Sequence, residues 1–200
     1  LMSNDKDQTS YSLDALRDGD RAEFAQIVEE YSPMVYRLGL KMLNNPQDAE
    51  DILQETFIKA YKHIHSFDGR SSVSTWLYRI ATNEALMSLR KKRPDTISFD
   101  MPSIYESEPQ EPLQIVDWCC LPEDEYLTAE GRLRLDQAAE RLPESLRIVF
   151  VLRDIEGLST RETAEVLNIS EMAVKTRLSR ARLRLREDLS KYYGKLVEKG

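Results

Sequence analysis

One stretch constrains this chain more than any other: Leu158 to Arg186, L-S-T-R-E-T-A-E-V-L-N-I-S-E-M-A-V-K-T-R-L-S-R-A-R-L-R-L-R. It contains two helix starts and one helix stop. Ser159 followed three residues later by Glu162 is a capping-box pattern: the serine oxygen takes a backbone N–H and the glutamate reaches back to the cap. Asn168 stops the first helix, because asparagine tolerates the left-handed conformation of a C-cap. Ser170 is the N-cap of the second. Two helices joined through Asn168, Ile169 and Ser170 make a helix-turn-helix. In the second helix Val174, Leu178, Ala181 and Leu185 recur every three or four residues, the stripe expected to be buried.

Beside that stripe the charge has one sign. Between Met172 and Arg186 lie Lys175, Arg177, Arg180, Arg182, Arg184 and Arg186 with no acidic residue, in a chain of net charge −7. A solvated amphipathic helix usually mixes its signs, and six cations this close repel one another without a partner. Such a helix on an acidic protein points to a polyanion, and a helix-turn-helix places it in the major groove of DNA.

Composition favours helices: 41% of residues are hydrophobic, 32% are charged and only 7 are glycine. No window approaches the roughly 18 uninterrupted apolar residues of a membrane helix, so no membrane insertion is expected. The polar start L-M-S-N-D-K-D-Q-T-S lacks the apolar core of a signal peptide, and a cytoplasmic location is expected. Cys119 and Cys120 are adjacent and make no spaced disulfide framework.

From the N-terminus, residues 1–10 read as a tail, followed by a short helix from Ser12 to Arg17 closed by Gly19. Asp20 and Glu23 look like a cap pair. Phe24, Ile27, Val28, Tyr31, Val35, Leu38 and Met42 follow at helical spacing. Ser32-Pro33 interrupts this run and predicts two helices or a bend. Asn44-Asn45-Pro46 is a turn. Then Asp48 to Tyr61, D-A-E-D-I-L-Q-E-T-F-I-K-A-Y, offers Ala49, Ile52, Leu53, Phe57 and Ala60, with Ile64 beyond, to a core. Asp48, Asp51, Gln54, Glu55 and Lys59 fall on the other face. Acidic residues in a first helical turn suit the macrodipole, which accounts for Asp48, Glu50 and Asp51 better than for Gln54 and Glu55.

Phe67-Asp68-Gly69-Arg70 reads as a loop. The next helix runs from Ser74 to Pro94, with Trp76, Leu77, Ile80, Ala81 and Leu89 on its apolar face. Arg90, Lys91, Lys92 and Arg93 close it; they suit a helix C-terminus and also offer a surface to phosphate. From Pro94 to Leu121 the periodicity fails. Between Met101 and Glu130 lie eight acidic side chains and no basic one, so residues 94–121 read as an acidic flexible linker. That acidity could also compete with DNA for the basic surfaces. A second domain begins near Pro122: one helix to about Leu142 with Leu133, Ala138 and Ala139 inward, another from Pro143 ending at Gly157, then the helix-turn-helix, with its last helix reaching about Tyr193. Sustained period-two alternation is absent, so the expected fold is all-α: two small helical domains, 1–93 and 122–200, joined by the linker.

The order of these blocks carries a resemblance. An acidic D-A-E-D-I-L-Q-E-T-F-I-K-A-Y helix, F-D-G-R and S-T-W-L-Y-R-I-A-T-N precede the linker. L-P-E-S-L-R-I-V-F-V-L-R-D-I-E-G-L-S and the helix-turn-helix follow it. From about Asp20 to Asp188 the chain closely resembles bacterial sigma factors of the extracytoplasmic-function group. A helix-turn-helix alone is unspecific; the two blocks in this order are not. The resemblance implies a region two that binds the clamp of core RNA polymerase and opens the minus-ten element. It implies a region four that holds the polymerase flap and reads the minus-thirty-five element. The linker stands where larger sigma factors carry a further domain, and in the family it passes along the RNA exit route. The partners implied are core RNA polymerase, promoter DNA both duplex and single-stranded, and an anti-sigma factor. No cofactor is implied.

Carried over by residue, Asp51, Gln54 and Glu55, with Asp48 beside them, match the clamp-binding positions. Phe67 lies in the loop that helps hold a flipped minus-ten base, and Asn83 matches the polar residue at the foot of that pocket. An extruded base needs a stacking surface and hydrogen bonds to its edge. Trp76 and Tyr78 are further aromatics for the same strand, although Trp76 also falls on the apolar face. Arg79, Arg90 and Lys91 suit backbone phosphates. Lys175, Thr176, Arg177, Ser179 and Arg180 match the recognition-helix positions, with Lys175 and Arg180 the candidates for bases. Arg182, Arg184 and Arg186 are expected to serve phosphates or the polymerase. Trp118-Cys119-Cys120 is outside the family pattern and reads either as a sensor or as small apolar groups docking the end of the linker. The competing function is a stand-alone helix-turn-helix repressor or activator, which has no need of the Asp48 to Asn83 block. An enzyme is not expected: no paired carboxylates, glycine-rich phosphate loop or activated nucleophile is present.

Overall fold

The computed structural model describes Ser12, Ala15, Leu16 and residues 18–92 and 129–197, with backbone alone for Ala129, Glu130, Arg132 and 191–197. The expected tail at 1–10, the linker at 94–121 with Trp118-Cys119-Cys120, and the domain start at Pro122 lie outside the described residues. The helices are α1 (Arg21–Leu43), α2 (Pro46–His63), a 3₁₀ turn (Ile64–Ser66), α3 (Val73–Lys92), α4 (Ala129–Glu140), α5 (Glu144–Phe150), a π-helical turn (Val151–Ile155), α6 (Thr160–Leu167) and α7 (Glu171–Val197). No strand occurs among the described residues. The chain divides into two compact units, Leu1–Ala85 and Leu86–Gly200, with the division inside α3.

In the first unit Asp20 caps α1, its carboxylate accepting from the N–H of Ala22 at 2.8 Å and of Glu23 at 3.3 Å. The expected break at Ser32-Pro33 does not occur: α1 runs through Pro33 as one helix. Ile27, Tyr31, Val35, Leu38 and Met42 form one buried stripe spanning the proline. Pro33 and Glu29 both lie on the exposed face, so the carbonyl that loses its partner is available to water. Ser32 Oγ also donates back to the Val28 carbonyl.

Asn44 ends α1 in the left-handed conformation at φ 50°. Asn45 then caps α2, accepting from the N–H of Gln47 at 2.9 Å and of Asp48 at 3.2 Å. This tight turn folds α2 back onto α1. The two backbones meet at Gly39, where an added Cβ would stand 3.2 Å from Ala49 Cα. Ala49, Ile52, Phe57, Ala60 and Ile64 are buried as expected, and Thr56 joins them; Leu53 is only half-buried. Lys59 Nζ meets Glu84 Oε1 at 2.5 Å and ties α2 to α3.

The second unit closes over Leu142, Leu146 and Phe150 with Ala138 and Ala139 of α4 and Ala181, Leu185 and Leu189 of α7. Leu133 corrects an expectation: it is 55% exposed. The inward stripe of α4 is Leu135, Ala138 and Ala139, and Leu133 lies two residues, about 200°, away from it. A second correction concerns α5. It does not run evenly to Gly157 but widens into the π turn, where the Glu156 N–H reaches the Val151 carbonyl at 2.9 Å. Gly157, at φ +75°, then reverses the chain.

Arg147 of α5 is 6% exposed; its Nη2 donates to the carbonyls of Glu140 at 2.9 Å and Leu142 at 3.4 Å. It thereby satisfies the carbonyls released where α4 ends. The helix-turn-helix forms as read. Glu162 N–H donates to Ser159 Oγ at 3.1 Å, and Ser159 N–H to Glu162 Oε2 at 2.7 Å. Asn168 has φ 53°, and Ser170 Oγ accepts from the Ala173 N–H at 3.1 Å. Val174, Leu178, Ala181 and Leu185 are all buried.

Candidate nucleic-acid interface

Three helix faces carry the residues that the sequence singled out. The first is the outer face of α2. Burial of Ala49, Ile52, Phe57 and Ala60 turns Asp51, Gln54 and Glu55 to solvent, all exposed, while Asp48 is half-buried near the N-terminus. One turn beyond Glu55, Ile58 is 46% exposed, so the acidic stripe ends on an apolar side chain. Beside it an open apolar groove of about 380 Å³ is lined by Arg21, Phe24, Ala25, Val28 and Tyr61. The Phe24 ring stands edge-on to Tyr61 at 5.0 Å and to Phe57 at 6.4 Å. The sequence reading missed this groove and Ile58; the signal was an isoleucine off the buried stripe of α2. Acid with an apolar neighbour suits a protein partner better than DNA, since carboxylates repel phosphate.

The second face belongs to α3 and the loop before it. Trp76, Ile80, Asn83, Met87 and Arg90 follow at intervals of three or four, with Arg79 on the flank. Arg79, Asn83 and Arg90 are exposed, Trp76 is half-buried, and Met87 is 45% exposed. Half-buried, Trp76 packs against the module without being fully withdrawn from solvent. Phe67 is buried with its ring 5.1 Å from Trp76 and tilted 37° to it. This corrects the expectation of a direct contact: buried this deeply, Phe67 packs against Trp76 and does not present its own ring to a base.

Tyr78 is a correction as a direct contact. It is 6% exposed, on the inner side of α3 with Leu77, Ala81, Thr82 and Ala85. Thr75, Thr82 and Ala85 are core positions the sequence reading missed, because small and hydroxylated residues carry little apolar signal. The loop itself is set by Gly69 at φ +77° and by Asp68, whose carboxylate accepts from the Arg70 N–H at 3.1 Å and pairs with its guanidinium. The backbone hydrogen bond first, and the side-chain one second, hold the Asp68 carboxyl below its ordinary value of 3.8. Lys91 is exposed at the end of α3.

The third face is α7. With its apolar stripe buried, Lys175 and Arg184 are exposed and Thr176, Arg177, Ser179, Arg180 and Arg182 are half-exposed. Partial burial first, and the neighbouring Arg180 guanidinium second, push Arg177 below the ordinary guanidinium range. Arg182 differs from its neighbours. Its guanidinium forks onto Asp154 of the π turn, Nε to Oδ2 at 2.9 Å and Nη2 to Oδ1 at 2.7 Å.

The three faces belong to two helical modules, one with an acidic face on α2 and a mixed polar and aromatic face on α3, the other with the cationic helix α7. The family model for Sigma-70 region 2 matches residues 27–94, and that for Sigma-70, region 4 matches residues 132–185. The chain is 42% identical over 180 residues to the ECF RNA polymerase sigma factor SigW of Bacillus subtilis, covering 87% of this chain and 92% of that protein. It is 32% identical over 186 residues to the RNA polymerase sigma-H factor of Pseudomonas aeruginosa, covering 91% and 93%. Among solved structures, the sigma factor RpoE of Bartonella quintana, crystallised with the anti-sigma factor NepR, superposes with TM-score 0.60 at 25% identity, covering 84% of this chain and 96% of that one.

The chain belongs to the extracytoplasmic-function sigma factors. It is a transcription initiation factor that binds core RNA polymerase and directs it to promoters. Among the described residues no helix is long and apolar enough to cross a membrane, and no group of three or more His, Cys, Asp or Glu side chains could hold a metal ion.

Proposed function

We propose how the work is divided over this chain. Residues 1–93 form the polymerase-binding and minus-ten-opening module, and 122–200 the minus-thirty-five module. The outer face of α2 takes the polymerase clamp through Asp51, Gln54 and Glu55, with Asp48 at its start. On α3, Asn83 hydrogen-bonds an extruded minus-ten base against Trp76, which Phe67 supports, while Arg79, Arg90 and Lys91 take the phosphates of the strand. On α7, Lys175, Thr176, Ser179 and Arg180 approach the bases of the minus-thirty-five duplex, and Arg177 and Arg184 its backbone. Catalysis stays with the polymerase and the factor needs no cofactor. Its place of action is the cytoplasm, where the polymerase is.

The observation that carries this reading is the exposed acidic face of α2 in the same module as the Asn83 face of α3. A stand-alone repressor needs neither. The RpoE relative was crystallised with an anti-sigma factor, and an anti-sigma factor of this chain would regulate it by covering these same surfaces. Run-off transcription tests the division. Core polymerase alone is expected to start at none of a panel of promoters that it uses with this protein added. Asn83→Ala is expected to lose start-site choice or activity while still binding polymerase. Tight duplex binding without any polymerase-dependent initiation would instead support the repressor reading.

A further inference from the structure

Of the six cations on α7 between Met172 and Arg186, Arg182 is already engaged by a carboxylate of the protein itself. We propose that Arg182 is a positioning residue, clamped by Asp154, and makes no contact with the DNA backbone. The inference rests on the reading of α7 as the helix that meets duplex DNA.

The fork is bidentate, with both bonds in the normal range at 2.9 and 2.7 Å. Both side chains are partly exposed, 36% for Arg182 and 20% for Asp154. The Asp154 hydrogen bond is the main influence on Arg182 and holds its guanidinium above the ordinary range, against the opposing effect of partial burial. Turning the Nε–Nη2 edge to a phosphate would require breaking both bonds and would leave an uncompensated carboxylate beside a polyanion, while the three N–H groups outside the fork carry a charge that Asp154 already offsets.

The place of the fork explains what it does. Asp154 lies in the π turn, an irregular segment whose side-chain directions differ from those of a regular helix. Arg182 directly follows Ala181, the fully buried centre of the α7 stripe. The stripe fixes the depth of α7 by apolar packing, which is non-directional. The fork adds a directional link on one flank and so resists rotation of α7 about its own axis. Arg153, the neighbour of Asp154, donates to the Leu158 carbonyl and braces the same turn against the start of the helix-turn-helix. Rotation by part of a turn would carry Lys175 and Arg180 away from the base edges that they meet.

The test is promoter binding by holoenzyme reconstituted with bacterial core polymerase, on a duplex selected by the wild-type holoenzyme, between about 50 and 200 mM salt. Arg182→Gln and Asp154→Asn are each expected to weaken binding about two- to fivefold, the size of a partly exposed ion pair. The salt slope should stay at the wild-type value, and the double variant should be no worse than either single one. Arg182→Lys keeps the charge but loses the fork and should behave like Arg182→Gln. Lys175→Ala supplies the reference for losing a cation at the DNA.

A salt slope reduced by about one in Arg182→Gln, with tighter binding in Asp154→Asn, would make Arg182 a phosphate contact and overturn the proposal. Additive losses, or no change in either single variant, would overturn it as well. Wild-type holoenzyme that selects no duplex would remove the reading of α7 beneath the proposal, a result distinct from all of these.

Discussion

The two modules use charge differently. In the first, fold and surface are separable: an apolar α1–α2 contact around Gly39 and Ala49 builds the core, and Asp51, Gln54 and Glu55 stand outside it. In the second, charge is also scaffold. Arg147 is buried against the carbonyls that end α4, Arg153 donates to Leu158 and Arg182 grips Asp154. A count of arginines therefore describes the interface in neither module. It misses the acidic face of the first and counts internally bonded arginines as surface in the second.

The largest expected effect that sharpens this contrast is at Arg147. Arg147→Met removes the donors to Glu140 and Leu142 and should destabilise the second unit by about 3 kcal/mol, because buried carbonyls are left unsatisfied. Hydrogen exchange across 129–190 should show it, with 20–85 unaffected. Equal loss in both units would break the distinction. Next is Gly39→Ala in the first unit. The new methyl must push into the backbone of Ala49, 3.2 Å away, at a cost of about 2 kcal/mol. A denaturant titration following the Tyr31 and Trp76 region would record it. An unchanged midpoint would mean that α1 and α2 do not meet this closely in solution.

A smaller effect, about 1–2 kcal/mol on promoter affinity, is expected for Arg180→Ala, along with relaxed choice at one minus-thirty-five base pair. A uniform loss across all sequences with a lower salt slope would reassign Arg180 to phosphate. The smallest effect concerns Asp68. Its carboxyl lies below 3.8 in the folded chain, so it favours the folded loop at pH above that value and loses this contribution as pH falls through the lower folded value. Asp68→Asn should therefore lower stability slightly at neutral pH and flatten the acid limb of the pH–stability curve, so that variant and wild type converge in acid. An acid limb as steep as that of the wild type would contradict the assignment.

Much of this was legible in the sequence because it is written in local codes. Ser159, Glu162, Asn168 and Ser170 each specify a backbone conformation through their own side chain, and each adopts it. The α7 stripe is periodic, and the four residues read from it are buried, with Leu189 extending it by one more turn. What failed depends on surroundings. Pro33 carries a helix-breaking signal, but the buried stripe on both sides of it holds α1 together. Leu133 is apolar yet falls off the stripe that Leu135, Ala138 and Ala139 set. Tyr78 looks like a reader of bases by type, and only the rotation of α3 shows that it faces inward. The π turn has no residue code at all, and with it went the Asp154 partner of Arg182. That pair joins residues far apart in sequence, and nothing near Arg182 announces it.

The most direct measurement is the affinity of core RNA polymerase for Asp51→Arg and for the Lys175→Ala/Arg180→Ala double variant, side by side with the wild type. If the α2 face is the clamp surface, Asp51→Arg should bind polymerase at least about tenfold more weakly, through like-charge repulsion at a desolvated contact. The α7 variant should stay within about a factor of two and lose promoter duplex instead. Wild-type polymerase affinity in Asp51→Arg, or equal losses in both variants, would contradict the assignment of polymerase to one face and duplex to the other.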